Sequence, residues 1–402
     1  MRQPQPPNHP DTHGAPGRHP AVTGAPLGHS VPGRSALPRG TAWLLAGSLA
    51  SFGLSIDAGA AGTAAAASRT AATRTAATRT AAMAIGHVPC ATSVSYSYLL
   101  GGRTQLVSRR LPAPASRVGG AALAAAGAHV TPAATAAPPT SRATAWLVAD
   151  LDTGQVLAAC NAHVPLGPAS CLKVLTALAL MPLINPAGRY PARAEDAQVI
   201  GTRVGLVPGS VYTVDNLWHA LLLGSANDAA VALARLAGGQ AAATEAMRRT
   251  ARALGALDTV PRNTSGLDAP GQASSAYDLA VLGRAALADP RVRSLVQTRT
   301  YSFPGAGTAL PGTRTASGAP ARRTFPLVSH DRLLSTYPGA LGVKNGWTST
   351  TGGSFIGAAQ RDGRRLIATM IAADPDTAGQ TAELLDWGFA ATPARAPGVG
   401  RL

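Results

Sequence analysis

The sequence predicts an α+β fold: an antiparallel sheet built from both ends of one domain and covered by helices, beside a mainly helical subdomain. Three observations predict it. Two short apolar runs flank Asp152-Thr153-Gly154, a block of helical periodicity follows, and three strand-like runs come near the end.

The elements read in order. In "TAWLVADLDTGQVLAAC" the Asp-Thr-Gly stretch turns one β-rich run into the next. Helical periodicity starts at Ser170 and runs to about Met181. "DNLWHALLLG" and "DAAVALARLAGG" predict two helices broken at Ser225-Ala226-Asn227. "ATEAMRRTARALGA" and "SSAYDLAVLGRAALADP" predict two more, the second capped by Ser274 or Ser275. "GALGVKNGW", "GGSFIGAAQ" and "RRLIATMIAAD" predict three strands, with Arg361-Asp362-Gly363-Arg364 turning the last pair. "AGQTAELLDWGFA" predicts a closing helix.

Five regions follow along the chain. Residues 1–40, rich in Pro, Gly and His, have no hydrophobic periodicity and are expected to be disordered. Their irregularly spaced histidines (His9, His13, His19, His29) do not form a metal site. Residues 41–61, preceded by Arg34 and Arg39, complete a secretory order: basic residues, then an apolar run from Trp43 to Ile56, then small residues. That run is shorter than the roughly 20 residues of a membrane span, so cleavage near Ala60 and retention as an anchor both stay open. Residues 62–141, opened by a Thr-Ala-Ala-Thr-Arg repeat, read as a low-complexity linker without regular elements. Residues 142–392 form the folded domain, and 393–402 a tail. The signal-like order implies an extracytoplasmic location, and any membrane attachment falls to the 41–61 segment.

The formal net charge of +16 is spread along the chain, without the basic stripe and interleaved aromatics of a nucleic-acid surface. Cys90, Cys160 and Cys171 make no Cys-x-x-Cys and no zinc framework. Cys160 and Cys171 are close enough in sequence to pair, but small apolar filling is the expected use of both.

The chemistry is carried by lysine. Of 35 basic residues only Lys173 and Lys344 are lysines. Lys173 follows Ser170 by three positions at a helix start, so both lie on one face, about 5–6 Å apart at Cβ. A serine hydroxyl needs a base to become a nucleophile. Arginine, with a pKa above about 12, cannot serve, but a buried lysine can. Ser225-Ala226-Asn227 supplies a second polar cluster at the helix break, and Lys344-Asn345-Gly346 a third on a strand.

These are the Ser-x-x-Lys, Ser-x-Asn and Lys-Thr-Gly elements of penicillin-recognising serine enzymes. "VADLDTGQVLAA", "PASCLKVLTAL", "LLLGSANDAAVALA", "NTSGLDAPGQASSAYDLAVLGRAAL", "TYSFPG" and "LLSTYPGALGVKNGWTS" extend the likeness. From about Ala143 to Phe389 the chain resembles a serine-type D-alanyl-D-alanine carboxypeptidase, a low-molecular-mass penicillin-binding protein. The resemblance implies a β-lactamase/transpeptidase-like fold and no metal or organic cofactor. It implies a peptidoglycan stem peptide ending in D-Ala-D-Ala as substrate and β-lactams as covalent inhibitors. It implies that Ser170 attacks, Lys173 takes its proton and Ser225 relays a proton to the leaving D-alanine. Asn227 would bind the substrate amide or hold Lys173, Lys344 would meet the terminal carboxylate, and Asn345 and Gly346 would line the strand along which the peptide lies. The N–H groups of Ser170 and Trp347 would form the oxyanion hole.

Two departures stand out. Asn345 replaces the usual threonine, and Cys171 stands where a hydroxyl residue is common. Three other readings share the motifs: a peptidoglycan DD-endopeptidase, a poorly catalytic penicillin-binding scaffold, and a class A-like β-lactamase. The last needs a glutamate to activate the deacylating water, and Glu245 is the only glutamate between Asn227 and Lys344.

Overall fold

The computed structural model describes residues 88–100, 103–305, 323–373 and 376–402, and the side chains of all these except 95–100 and 103–107. The arm of residues 1–40, the signal-like segment 41–61 and residues 62–87 lie outside the described residues.

The first strands are β1 (Ser93–Leu100), β2 (Arg103–Arg110) and β3 (Ala128–Val130). They correct the expectation that this stretch has no regular element. β4 (Ala145–Asp150) and β5 (Gln155–Cys160) form the predicted hairpin. Asp150 fastens its turn, one carboxylate oxygen accepting from the N–H groups of Asp152 (3.1 Å) and Thr153 (2.9 Å). A single 3-10 turn at Ala169–Cys171 then leads into α1 (Leu172–Leu180).

The helical subdomain continues with β6 (Arg189–Pro191), α2 (Ala194–Ala197), β7 (Val211–Thr213), α3 (Val214–Leu222), α4 (Asn227–Leu236) and α5 (Gln240–Leu254). Next come α6 (Ala276–Ala288) and α7 (Pro290–Val296). Ser275 caps α6, its hydroxyl accepting from the Asp278 N–H, so of the two candidate caps the later one is used. β8 (Thr300–Pro304) and β9 (Thr324–Val328) pair with each other, and α8 (Leu333–Thr336) follows.

The closing elements are β10 (Ala340–Thr348), β11 (Gly352–Arg361), β12 (Arg364–Ala373), α9 (Thr377–Ala391) and β13 (Gly400–Arg401). Asp362 and Gly363 both have positive φ (49° and 76°), the geometry that a tight hairpin turn demands and Asp-Gly accepts.

The main sheet runs β10-β11-β12-β4-β5, with β3 and β13 sharing the far edge of β5. All its pairs are antiparallel. Both ends of the domain therefore meet in one sheet, as predicted. Alternate residues feed two cores: Leu147, Ile356 and Ile367 face the side shared with α6, while Trp146, Val148, Phe355 and Leu366 face Leu384, Leu385 and Trp387 of α9. Both faces are covered, which is why the strands read as near-continuous apolar runs.

A disulfide joins Cys90 to Cys160. This corrects the reading of Cys160 as a filler and excludes a Cys160–Cys171 bond; Cys171 is free and buried. The bond ties the segment that enters β1 to the end of β5. The tail after residue 392 also returns to the sheet, where Gly400 and Arg401 pair with Val156 and Gln155.

Candidate active site

Ser170 sits in the tight turn that opens α1, the end of the helix where backbone N–H groups are unpaired and the dipole is positive. Ala169 before it holds a left-handed φ of 47°, a conformation that non-glycine residues keep only where their surroundings impose it. Two glycines supply those surroundings. A Cβ on Gly346 of β10 would stand 2.6 Å from Ser170 N. A Cβ on Gly266, from the loop before α6, would overlap the carbonyl oxygen of Ala169. The nucleophile turn is thus pinched between strand and loop, with room for no side chain on either wall.

Lys173 is fully buried. Its Nζ lies 2.9 Å from Ser170 Oγ, 2.8 Å from Asn227 Oδ1 and 2.5 Å from the Ser265 carbonyl oxygen. Asn227 Nδ2 donates to the Ile200 carbonyl (2.8 Å), which fixes the amide with Oδ1 towards the lysine. Burial first, and the charge of Lys344 second, hold the Lys173 pKa well below its ordinary value. A neutral amine has two N–H groups and one lone pair. The two N–H groups match the two fixed acceptors, and the lone pair is left for the Ser170 hydroxyl proton.

Ser225 occupies the break between α3 and α4, with φ at 55°. It is nearly buried, and its hydroxyl has no hydrogen-bond partner among the described residues. Ala226, not Asn227, is the residue that caps α4, which frees the Asn227 side chain for Lys173. Asp228, next along, clamps the facing loop by accepting from the N–H groups of Val204, Gly205 and Leu206.

Lys344 is buried on β10, and its Nζ donates to the Asn345 carbonyl (2.8 Å) and to Asn345 Oδ1 (3.0 Å). Burial lowers its pKa to about 8, against the opposing effect of Asp331. Trp347 is 61% exposed on the same edge strand. Cys171 packs behind β10, its thiol donating to the Lys344 carbonyl (3.3 Å), and burial pushes its pKa up to about 11. It stays a protonated filler.

The structure therefore brings Ser170, Lys173 and Asn227 into direct contact and sets Gly346 against Ser170. It gives no hydrogen bond from Ser225 or Lys344 to that trio. Sequence reasoning missed the Ser265 carbonyl and Gly266. The signal was present in "NTSG": Asn263 Oδ1 accepts from the N–H groups of Ser265 (3.1 Å) and Gly266 (2.8 Å), the side-chain-to-backbone turn that asparagine favours.

A profile described as D-alanyl-D-alanine carboxypeptidase matches residues 132–375. The chain belongs to the D-alanyl-D-alanine carboxypeptidase family. It is similar to DacB2 of Mycobacterium tuberculosis, at 39% identity over 281 residues, covering 68% of this chain and 91% of that protein. It is also similar to DacD of Escherichia coli, at 33% identity, covering 62% of this chain and 64% of that one. Among solved structures, a D-alanyl-D-alanine carboxypeptidase of Mycobacterium tuberculosis superposes with a TM-score of 0.61 at 38% identity, covering 68% of this chain and 100% of the other. A DD-transpeptidase of Streptomyces gives 0.57 at 25% identity, covering 63% of this chain and 99% of the other. The expected α+β, transpeptidase-like fold is thus the fold observed.

In this family member a buried charge cluster joins the segment before Ser170 to the segment before Ser265. His163 donates to Asp258 Oδ2 (2.7 Å), and its other nitrogen lies 2.8 Å from the Val118 carbonyl. The Ser275 hydroxyl donates to the same carboxylate (2.6 Å). Asp278 lies beside them, its pKa raised to about 7 by burial and by Asp258. Both side chains of the His163–Asp258 pair are fully buried. Removing one partner strands the other charge, so His163→Ala is expected to cost about 3–5 kcal/mol in urea unfolding, and a loss under about 1 kcal/mol would rule out that role.

Proposed function

We propose that the chain is a serine-type D-Ala-D-Ala carboxypeptidase that trims the terminal D-alanine from peptidoglycan stem peptides. The observation that carries the reading is the three-way contact of the buried Lys173 amine with Ser170, Asn227 and the Ser265 carbonyl.

In this reading Ser170 Oγ attacks the carbonyl of the penultimate D-alanine and passes its proton to Lys173. The N–H groups of Ser170 and Trp347 stabilise the oxyanion. The intermediate collapses, the C–N bond breaks, and D-alanine leaves with a proton delivered from Lys173 through Ser225. Water then attacks the ester carbonyl, with Lys173 again taking the proton, and frees Ser170. A β-lactam acylates the same hydroxyl. Lys344 and Asn345 hold the terminal carboxylate.

The ammonium of Lys344 is present below its pKa of about 8 and is lost above it. KM for a D-Ala-D-Ala peptide is therefore expected to rise as the pH passes about 8; a KM flat to pH 10 would remove Lys344 from carboxylate binding.

Location outside the cytoplasm is part of the proposal. The substrate class and the Cys90–Cys160 disulfide support it, since such bonds persist in oxidising compartments. Among the described residues no helix is long and apolar enough to cross a membrane. Residues 41–61 would be the leader or anchor. The β-lactamase alternative is disfavoured by Glu245, which is half-exposed on α5 and pairs with Arg248 and Arg249. The test is release of D-alanine from a peptide ending in D-Ala-D-Ala, with Ser170→Ala as control. Release by the parent alone supports the reading, and rapid β-lactam hydrolysis without D-alanine release overturns it.

A further inference from the structure

The buried cluster beside α6 holds more carboxyl groups than its one cation can balance. His163, Asp258 and Asp278 are all buried, and a ring nitrogen and one oxygen from each carboxyl group lie within 4.8 Å of one another. His163 faces an acceptor with each nitrogen, Asp258 Oδ2 on one side and the Val118 carbonyl on the other. Both nitrogens therefore donate, which makes the ring an imidazolium. Among the described residues no other cationic side chain contacts the two aspartates. Arg284, also on α6, is turned to the carbonyls of Leu151, Asp152 and Leu402. Tyr277 stacks on the His163 ring, and its hydroxyl donates to the Arg401 carbonyl.

The hydrogen bonds show which carboxyl group is the surplus one. Asp258 Oδ2 accepts from the imidazolium (2.7 Å) and from the Ser275 hydroxyl (2.6 Å). Asp278 Oδ2 accepts from the Thr259 hydroxyl (2.6 Å), a neutral donor. The remaining oxygen of each, Asp258 Oδ1 and Asp278 Oδ1, is buried without a donor. A buried carboxylate oxygen left unpaired is costly, and two like charges this close disfavour each other. A proton on Asp278 relieves both costs, because the cluster becomes neutral and gains a donor. The first turn of α6 favours a charge at Asp278, but burial and Asp258 outweigh it and raise its pKa to about 7.

We propose that a proton held on Asp278 is a structural part of this fold, and that it makes the loop between Asp258 and Ser275 an alkali-sensitive element. Both ends of that loop are fastened at the cluster, Asp258 to Ser275 and Thr259 to Ser274, whose hydroxyls lie 2.9 Å apart. Its middle carries the Ser265 carbonyl that meets Lys173 and the Gly266 that confines Ala169. A carboxyl group with a raised folded pKa stabilises the fold fully only below its unfolded pKa, and that stability is lost as the pH rises through the folded one. For Asp278 the window runs from 3.8 to about 7.

The test is urea unfolding of the purified protein at about pH 5 and about pH 8, for the parent and for Asp278→Asn. The carboxamide keeps the shape and both hydrogen-bonding roles of a protonated carboxyl group. Between the two pH values the unfolding constant of the parent is expected to rise about a hundredfold more than that of the variant, the linkage of a pKa that falls from about 7 to 3.8 on unfolding. Asp331, whose pKa burial raises to about 6, titrates in both proteins and cancels. A packing defect in the variant lowers its stability at both pH values and leaves the comparison intact. An equal rise in both proteins would mean that Asp278 is ionised throughout, and overturns the proposal. If the variant does not fold, carboxyl carbon-13 NMR of the parent decides. Two aspartates titrating with midpoints of about 6 and about 7, for Asp331 and Asp278, support the proposal, and no midpoint near 7 overturns it.

Discussion

Lys173→Arg is expected to slow acylation of Ser170 by penicillin about a thousandfold, within the span of general-base effects. The argument is one of proton balance. Two of the three neighbours of Nζ, Asn227 Oδ1 and the Ser265 carbonyl, can only accept. Burial and Lys344 lower the pKa of the amine, which favours its neutral form, and Nζ lies 2.9 Å from the serine hydroxyl whose proton it would take. A guanidinium has no lone pair to offer at any working pH. Stopped-flow measurement with a fluorescent penicillin reads the effect, with thermal unfolding as the check on folding. Retention of the parental rate within about tenfold would place the base elsewhere.

Gly346→Ala is expected to lower kcat/KM by about a hundred- to a thousandfold, the usual cost of a spoiled oxyanion hole. The new methyl would meet Ser170 N at 2.6 Å, Ser354 Oγ at 2.7 Å and Ala169 Cβ at 3.0 Å. None of these can step aside easily. Ser354 Oγ is held by the Pro168 carbonyl (2.7 Å), and Ala169 is already confined by Gly266. The strand must retreat from the turn, which separates the N–H groups of Ser170 and Trp347. The fold should survive, since overpacking of this kind costs about 1–3 kcal/mol. Activity within about fivefold of the parent in a folded variant would show that the close approach is not used in catalysis.

Much of the sheet was legible because its signals are local. Asp-Thr-Gly and Asp-Gly turns fix two hairpins, and period-3.6 runs fix the longer helices. The contact of Ser170 with Lys173 was legible for the same reason: it spans one helical turn. The segment before residue 142 was not. The Ala-, Pro- and Gly-rich stretches around its strands hid them: β3 pairs with the distant β5, β1 and β2 pair with each other, and the disulfide partners are separated by 70 residues. For β3 long-range pairing overrode weak local propensity, whereas β1 and β2 carry a local signal, the β-rich runs of "SVSYSYLL" and "RTQLVSRR", that the linker reading passed over. The contact of Asn227 with Lys173 was expected only from the family resemblance, because nothing in the residues alone marks a side chain that turns to a lysine 54 positions upstream. The Ser265 carbonyl was harder to see, since a backbone oxygen carries no residue-type signal of its own and only the asparagine turn of "NTSG" points to it.

The most direct test of the central claim is the pH dependence of Ser170 acylation at saturating penicillin. If burial holds the Lys173 pKa well below its ordinary value, the rate should already be level well below pH 10.5, falling only on the acid side. If the amine keeps its ordinary pKa of 10.5, the rate will instead climb about tenfold per pH unit towards that value, and a buried neutral base would be contradicted.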